Sequence, residues 1–300
     1  MNEAILSQIK PFLEQLQPMP LLPTGAVARY RRHKSVQVVI FDIYGTLLLS
    51  ASGDVMRAGF NPQVFKKALN SSGITICVPE AGLAQLQSIF SVIVNEGKGM
   101  ARAGGIPFPD LDVVEVWRKT LKQAEKQGLV AGTDRVDMHL FSFVFELCSN
   151  QLWPMPGLRE TVSGLARRGY PLGLVSNAQF YTPVILNYFV HGSLRCDEQV
   201  PGFEPDLTTF SYKLLKGKPD PAIFETLLEP LRRRGLQAEQ VLFVGNDMLK
   251  DIYPAQQLGF KTCFFAGDQR AYRLRADHPQ ASKLKPDMVI TDLRQLLELL

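Results

Sequence analysis

Short apolar runs that end in a polar residue alternate along this chain with stretches whose apolar positions recur at helical spacing. Val38-Val39-Ile40-Phe41 is the first such run, and it ends at Asp42. An uninterrupted apolar run of this length reads as a strand buried on both faces, as in a parallel sheet. Residues 172–175, 241–244, 262–265 and 288–290 repeat the pattern, and 207–212 reads as a further strand. Helical stretches separate them. One follows Pro156-Gly157 and is capped by Gly169, and one runs through Val184, Ile185, Leu186 and Phe189. Others cover 221–234, the segment from the Val244 strand to Leu258, and 293–300. Strict alternation of this kind predicts an α/β fold, a doubly wound (Rossmann-like) parallel sheet of at least five strands with helices on both faces.

Between the first strand and residue 153 the period is helical only. Asn61-Pro62 supplies an N-cap and a proline at the first helical position, opening a helix to about Ser71. Leu83, Leu86, Ile89, Phe90 and Ile93 mark a second helix. Val113, Val114, Val116, Trp117 and Leu121 mark a third, and Met138, Phe141, Val144, Phe145 and Cys148 a fourth. Breaks at 97–105 and 107–109 separate them. The expectation is an inserted helical cap over 54–153, a core formed by 36–53 and 154–300, and an N-terminal extension over 1–35. Within the fourth helix Phe141, Phe143 and Phe145 alternate, so one of them lies on a different helix face, in the core of the cap or lining the cleft; the core is the expectation.

In the extension, Ile5, Leu6, Ile9, Phe12, Leu13 and Leu16 have helical spacing around Pro11, which predicts two short helices or a kinked one. Residues 18–23 read as an extended connector. The basic run Arg29, Arg31, Arg32, His33 and Lys34 reads as a solvated approach to the sheet. A formal charge of +4 over 300 residues gives no reason to expect nucleic-acid binding. Four widely spaced cysteines without a C-x-x-C pair suit free thiols in a reducing compartment. No apolar run approaches the ~20 residues of a membrane span, and no signal-peptide pattern opens the chain. A cytoplasmic location without membrane contact is expected. The pattern does not specify an oligomeric state.

Polar residues close four of the apolar runs. Asp42-Ile43-Tyr44-Gly45-Thr46-Leu47 resembles the first motif of the haloacid dehalogenase superfamily, D-x-D-x-T, with Tyr44 at the second Asp. Ser176-Asn177 resembles the family's second motif, whose hydroxyl binds phosphoryl oxygens; on residue type alone the pair also suits a helix N-cap. Lys218-Pro219-Asp220-Pro221, followed by Ile223-Phe224, resembles its K-P-x-P-x-I-F segment. Gly245-Asn246-Asp247, with Asp251 beyond, resembles the acidic motif that completes a magnesium site. The resemblance implies Asp42 as nucleophile, Thr46, Ser176, Asn177 and Lys218 as its supports, and Mg2+ held by Asp42, the Tyr44 carbonyl and an acidic-motif residue. Two registers of that motif fit: Asn246 or Asp247 in the first acidic place, with Asp251 as the second acid in both.

Tyr44 alters the implied chemistry. In the family's phosphatases the second Asp protonates the leaving group and then activates water; a phenol, with a reference pKa near ~10, is a poor base at neutral pH. The leading expectation is a magnesium-dependent phosphatase of a small phosphorylated metabolite, acting through an aspartyl-phosphate on Asp42. One alternative is a 2-haloacid dehalogenase, whose D-x-Y-G-T-L motif matches and whose halide needs neither proton nor metal. Another is a weakly active or inactive binding protein that keeps the site.

Overall fold

Val38–Phe41 forms strand β1, and all of it is buried, as an unbroken apolar run requires. The structure, a computed structural model, describes residues 1–51 and 61–300. The expected start of the cap, near residue 54, lies outside the described residues.

Helix α1 (Glu3–Glu14) precedes β1, and β2 (Leu48–Ser50) follows it. A helical insertion comes next, containing α2 (Pro62–Ser71), β3 (Thr75–Ile76), α3 (Ala84–Ala103), α4 (Val113–Lys126), β4 (Val130–Ala131) and α5 (Met138–Ser149). The chain returns through β5 (Leu152–Pro154), which pairs antiparallel with β2. After it come α6 (Leu158–Arg167), β6 (Leu172–Ser176), α7 (Thr182–His191), β7 (Thr208–Phe210) and α8 (Ser211–Leu214). The last part holds α9 (Ala222–Glu225), α10 (Leu228–Arg233), β8 (Val241–Gly245), α11 (Tyr253–Gln257), β9 (Lys261–Phe265), β10 (Met288–Ile290) and α12 (Gln295–Leu299).

Six strands form one parallel sheet in the order β10-β9-β8-β1-β6-β7. The connections run to one side of β1 through β6 and to the other through β8, so β1 lies at the topological switch point, where a crevice opens beyond the strand ends. Alternate side chains of β1 serve two cores. Val39 and Phe41 join one cluster, while Val38 and Ile40 pack with Ile223, Phe224 and Phe243 in the other. In the insertion, Trp117 is the centre, with the rings of Phe90, Phe141 and Phe145 at 4.5, 5.1 and 4.4 Å. Phe143 is the residue on the other face: it meets Tyr181, which follows β6, at 5.5 Å.

Several local expectations are corrected. Of the two forms expected for the extension, the pair of short helices does not occur: Pro11 sits inside one helix, α1, whose Ile5, Leu6, Ile9 and Leu13 bury one face, in part against α5. The break expected at 97–105 is displaced: α3 continues to Ala103, since Gly97 lets it pack closely on Leu111, 3.2 Å from where a Cβ would stand. The insertion is not purely helical, for β3 and β4 pair antiparallel. Strand β7 stops at Phe210, and Ser211 starts a short helix. The helix expected over 221–234 is two short ones, and the turn after β8 opens with a π-helical segment, Met248–Ile252.

The N-terminal arm is stitched to the sheet. Arg29 and Val289 exchange backbone hydrogen bonds of 2.8 Å each, covering the β10 edge. Leu22 N donates to Asp268 Oδ2 at 2.9 Å.

Candidate active site

Asp42 is the first residue past β1, and its backbone N–H still donates to Val244 O of β8 at 2.9 Å. That bond fixes the carboxylate at the mouth of the crevice, where it is almost fully buried. Gly45 makes the turn possible. Its φ is +87°, and a Cβ there would stand 2.5 Å from Ala271 Cβ.

Lys218, Ser176 at the end of β6 and Thr46 of the turn after β1 converge on this carboxylate. Lys218 Nζ donates to Asp42 Oδ1 (2.6 Å), Asp251 Oδ1 (2.5 Å) and Val175 O (3.1 Å), so all three ammonium protons are used. Burial works against the Lys218 charge, but Asp251 and Asp42 outweigh it and hold its pKa above the ordinary lysine value. Ser176 Oγ donates to Asp42 Oδ1 at 3.1 Å. Thr46 Oγ1 lies 3.2 Å from Asp42 Oδ2 and 3.1 Å from Asn246 Oδ1, two acceptors for its single proton. Asn177 acts on the lysine rather than on Asp42: its Oδ1 accepts from Lys218 N (2.6 Å) and its Nδ2 donates to Lys218 O (3.2 Å).

The acidic motif divides its labour. Asp251 Oδ2 accepts from the backbone N–H groups of Asn246 (3.0 Å) and Asp247 (2.9 Å) while Oδ1 holds Lys218. Burial pushes the Asp251 pKa up, against the pull of Lys218. Asp247 turns away from Asp42. Its Oδ1 caps the following turn by accepting from Leu249 N and Lys250 N, and both oxygens take the Arg275 guanidinium. Burial raises its pKa, but the Arg275 bonds dominate and hold it below the usual carboxylate range. Asn246 is therefore the residue that faces Asp42.

Tyr44 lines the same cavity, and its phenol shares a 2.9 Å hydrogen bond with Thr182 Oγ1. Burial pushes its pKa well above the ordinary value, and the charges of Glu146 and Asp42 add to the effect. It is no base at neutral pH.

A divalent cation can be judged from the donors present. Asp42 Oδ2 and Asn246 Oδ1 both reach one hydroxyl, so two oxygens converge; the Tyr44 carbonyl accepts no hydrogen bond among the described residues. One carboxylate with neutral oxygens suits Mg2+, which keeps several waters and completes its shell from phosphate. Among the described residues no group of three His, Cys, Asp or Glu side chains could hold a metal alone. The residues fit a weakly held, hydrated Mg2+.

The cavity has a volume of about 450 Å³ and is walled on one side by the insertion. The segment 108–113 is sewn to the sheet side. Gly217 N donates to Phe108 O (2.8 Å), Asp110 N to Leu215 O (3.1 Å), and Gln179 Nε2 to Leu111 O (2.8 Å). The sequence reading did not find Gln179, nor the lining cations Lys98, Arg102, Lys250, Arg273 and Arg275. Lys250 stands inside the acidic motif, between Asp247 and Asp251, without being one of its characteristic residues; of the others, only Lys98 and Arg102, four apart on one helix, carry a local signal.

The family profile for haloacid dehalogenase-like hydrolases matches residues 36–259. A glyceraldehyde 3-phosphate phosphatase of Methanothermobacter thermautotrophicus is 27% identical over 274 residues, which is 88% of this chain and all of that one. A protein of the same description from Pyrococcus furiosus is 30% identical over 146 residues; the match spans 49% of this chain and about half, 54%, of that relative. Among solved structures, a 2-haloacid dehalogenase from Pseudomonas syringae superposes with a TM-score of 0.55 at 22% identity, over 88% of this chain and 97% of that one, a likeness of fold.

Proposed function

The chain belongs to the haloacid dehalogenase-like hydrolases, and we propose that it is a phosphatase of small phosphorylated metabolites working through Asp42. The carrying observation is the donor array on one carboxylate: Lys218 and Ser176 on Oδ1, Thr46 on Oδ2, with the Asn246 oxygen alongside. The full-length likeness to a phosphatase supports the same reading. Asp42 attacks phosphorus and the ester oxygen leaves, giving an acyl phosphate that water later hydrolyses. Lys218 and Ser176 orient the attacking oxygen and meet charge on the phosphoryl oxygens. Mg2+ bound at Asp42, Asn246 and the Tyr44 carbonyl would supply charge neutralisation for the phosphoryl group. The insertion acts as a cap over 54–153 on a core of 36–53 and 154–300, and its 108–113 segment excludes bulk water.

Tyr44 favours a second reading. A side chain that cannot serve as base suits dehalogenation, because halide leaves without a proton. Phosphate release from p-nitrophenyl phosphate and chloride release from 2-chloropropionate, each with Mg2+ and with chelator, separate the two. Magnesium-dependent phosphate release without chloride release is the expected result. Chloride release that ignores chelator reverses the assignment.

A further inference from the structure

Among the described residues that line the cavity over Asp42, six are Lys or Arg and four are Asp, namely Asp42, Asp110, Asp247 and Asp251. Lys218 is taken by Asp42 and Asp251, and Arg275 by Asp247. Lys98, Arg102, Lys250 and Arg273 also line the cavity, and among the described residues none of the four has an ion-pair partner.

Their placement is structural. Lys98 and Arg102 are four apart on α3 and share a face. The close approach of Gly97 to Leu111 seats that part of α3 on the 108–113 segment, which Gln179 in turn bonds to the sheet side. Arg273 is fixed from the core: its N–H donates to Asn246 O at 3.2 Å, and its carbonyl accepts from Met248 N at 2.9 Å. Lys250 belongs to the turn capped by Asp247. Cations gathered in one cavity repel one another unless an anion joins them. A phosphoryl group at Asp42 already has Lys218, Ser176 and Thr46. The volume of about 450 Å³ leaves room beyond a single phosphoryl group.

We propose that Lys98, Arg102, Lys250 and Arg273 form a second anion site, so that the substrate is a phosphomonoester bearing a second phosphate. The substrate half of this statement rests on the phosphatase reading; the binding half does not.

Two pairs of probes differ by one phosphate: fructose 6-phosphate with fructose 1,6-bisphosphate, and glucose 6-phosphate with glucose 1,6-bisphosphate. Calorimetry on the full chain carrying Asp42→Asn, at physiological salt with Mg2+, gives a Kd ratio for each pair. Expected is a bisphosphate preference of about tenfold or more in at least one pair, on the scale of charge-assisted phosphate contacts. That preference falls towards one in Lys98→Ala/Arg102→Ala and in Arg273→Ala proteins whose unfolding midpoints match the parent. Ratios near one in both pairs overturn the site, as does a preference that survives both variants. Turnover of p-nitrophenyl phosphate by the native chain tests the phosphatase reading separately. Its absence removes that reading without moving the Kd ratios.

Discussion

The hydroxyl of Tyr44 and that of Thr182 lie 2.9 Å apart and share a hydrogen bond, which ties the phenol oxygen to the first residue of α7. Its raised pKa leaves it protonated at any working pH. Loss of general acid–base help costs about 10²–10⁴ in rate. Turnover of p-nitrophenyl phosphate therefore exceeds that of glycerol 3-phosphate by at least about 10². In Tyr44→Asp the gap narrows from the alkyl side. Equal kcat/KM for the two esters in the native protein contradicts this role.

Lys218 is the counter-charge of two buried carboxylates, Asp42 and Asp251. Removing one partner from a buried ion pair leaves an uncompensated charge and costs about 3–5 kcal/mol. Urea unfolding of Lys218→Met at neutral pH should show a loss of that order together with loss of turnover. A native-like midpoint would mean that the pairing carries little energy.

The metal register predicts an asymmetry between neighbours. Asn246 shares Thr46 with Asp42, whereas Asp247 is bound to Arg275. Calorimetric Mg2+ titration should find affinity raised about tenfold by Asn246→Asp, lowered by Asn246→Ala, and changed less than about threefold by Asp247→Asn. A larger effect at Asp247 reverses the register.

Glu146 of α5 is buried, accepts hydrogen bonds from Asn150 Nδ2 (2.8 Å) and Tyr181 Oη (3.1 Å), and has its pKa raised by burial to about 7. A carboxyl that keeps its proton when folded, but loses it near 4.5 when unfolded, stabilises the fold at low pH. That contribution declines as pH rises from about 4.5 to about 7 and is constant above. The full change is on the order of 3 kcal/mol. Unfolding free energy of the native chain should therefore fall between pH 5 and pH 8 relative to Glu146→Gln. Parallel pH profiles for the two proteins would contradict it.

Strands β1, β6 and β8 were legible because each is buried on both faces and so carries no polar residue until its end. For the same reason Asp42, Ser176 and Asn246 stand out at those ends. Lys218 was visible through its prolines. What stayed hidden depends on distant packing. Gly97 reads as a helix breaker until Leu111 is seen against it. The choice between Asn246 and Asp247 turns on Arg275, whose position after β9 gives no signal. Glu146 looks like an ordinary polar residue on a helix, and only Tyr181 and Asn150 reveal it as buried. The docking of α1 against α5 also needs the folded insertion.

The most direct measurement is of the covalent step. Acid-quenching the native protein during turnover of p-nitrophenyl phosphate with Mg2+, then digesting it and weighing the peptides, shows where phosphoryl resides. The account predicts one added HPO3 unit on the peptide that contains Asp42, absent in Asp42→Asn along with turnover. Steady phosphate release with that peptide unmodified, or undiminished by Asp42→Asn, contradicts it.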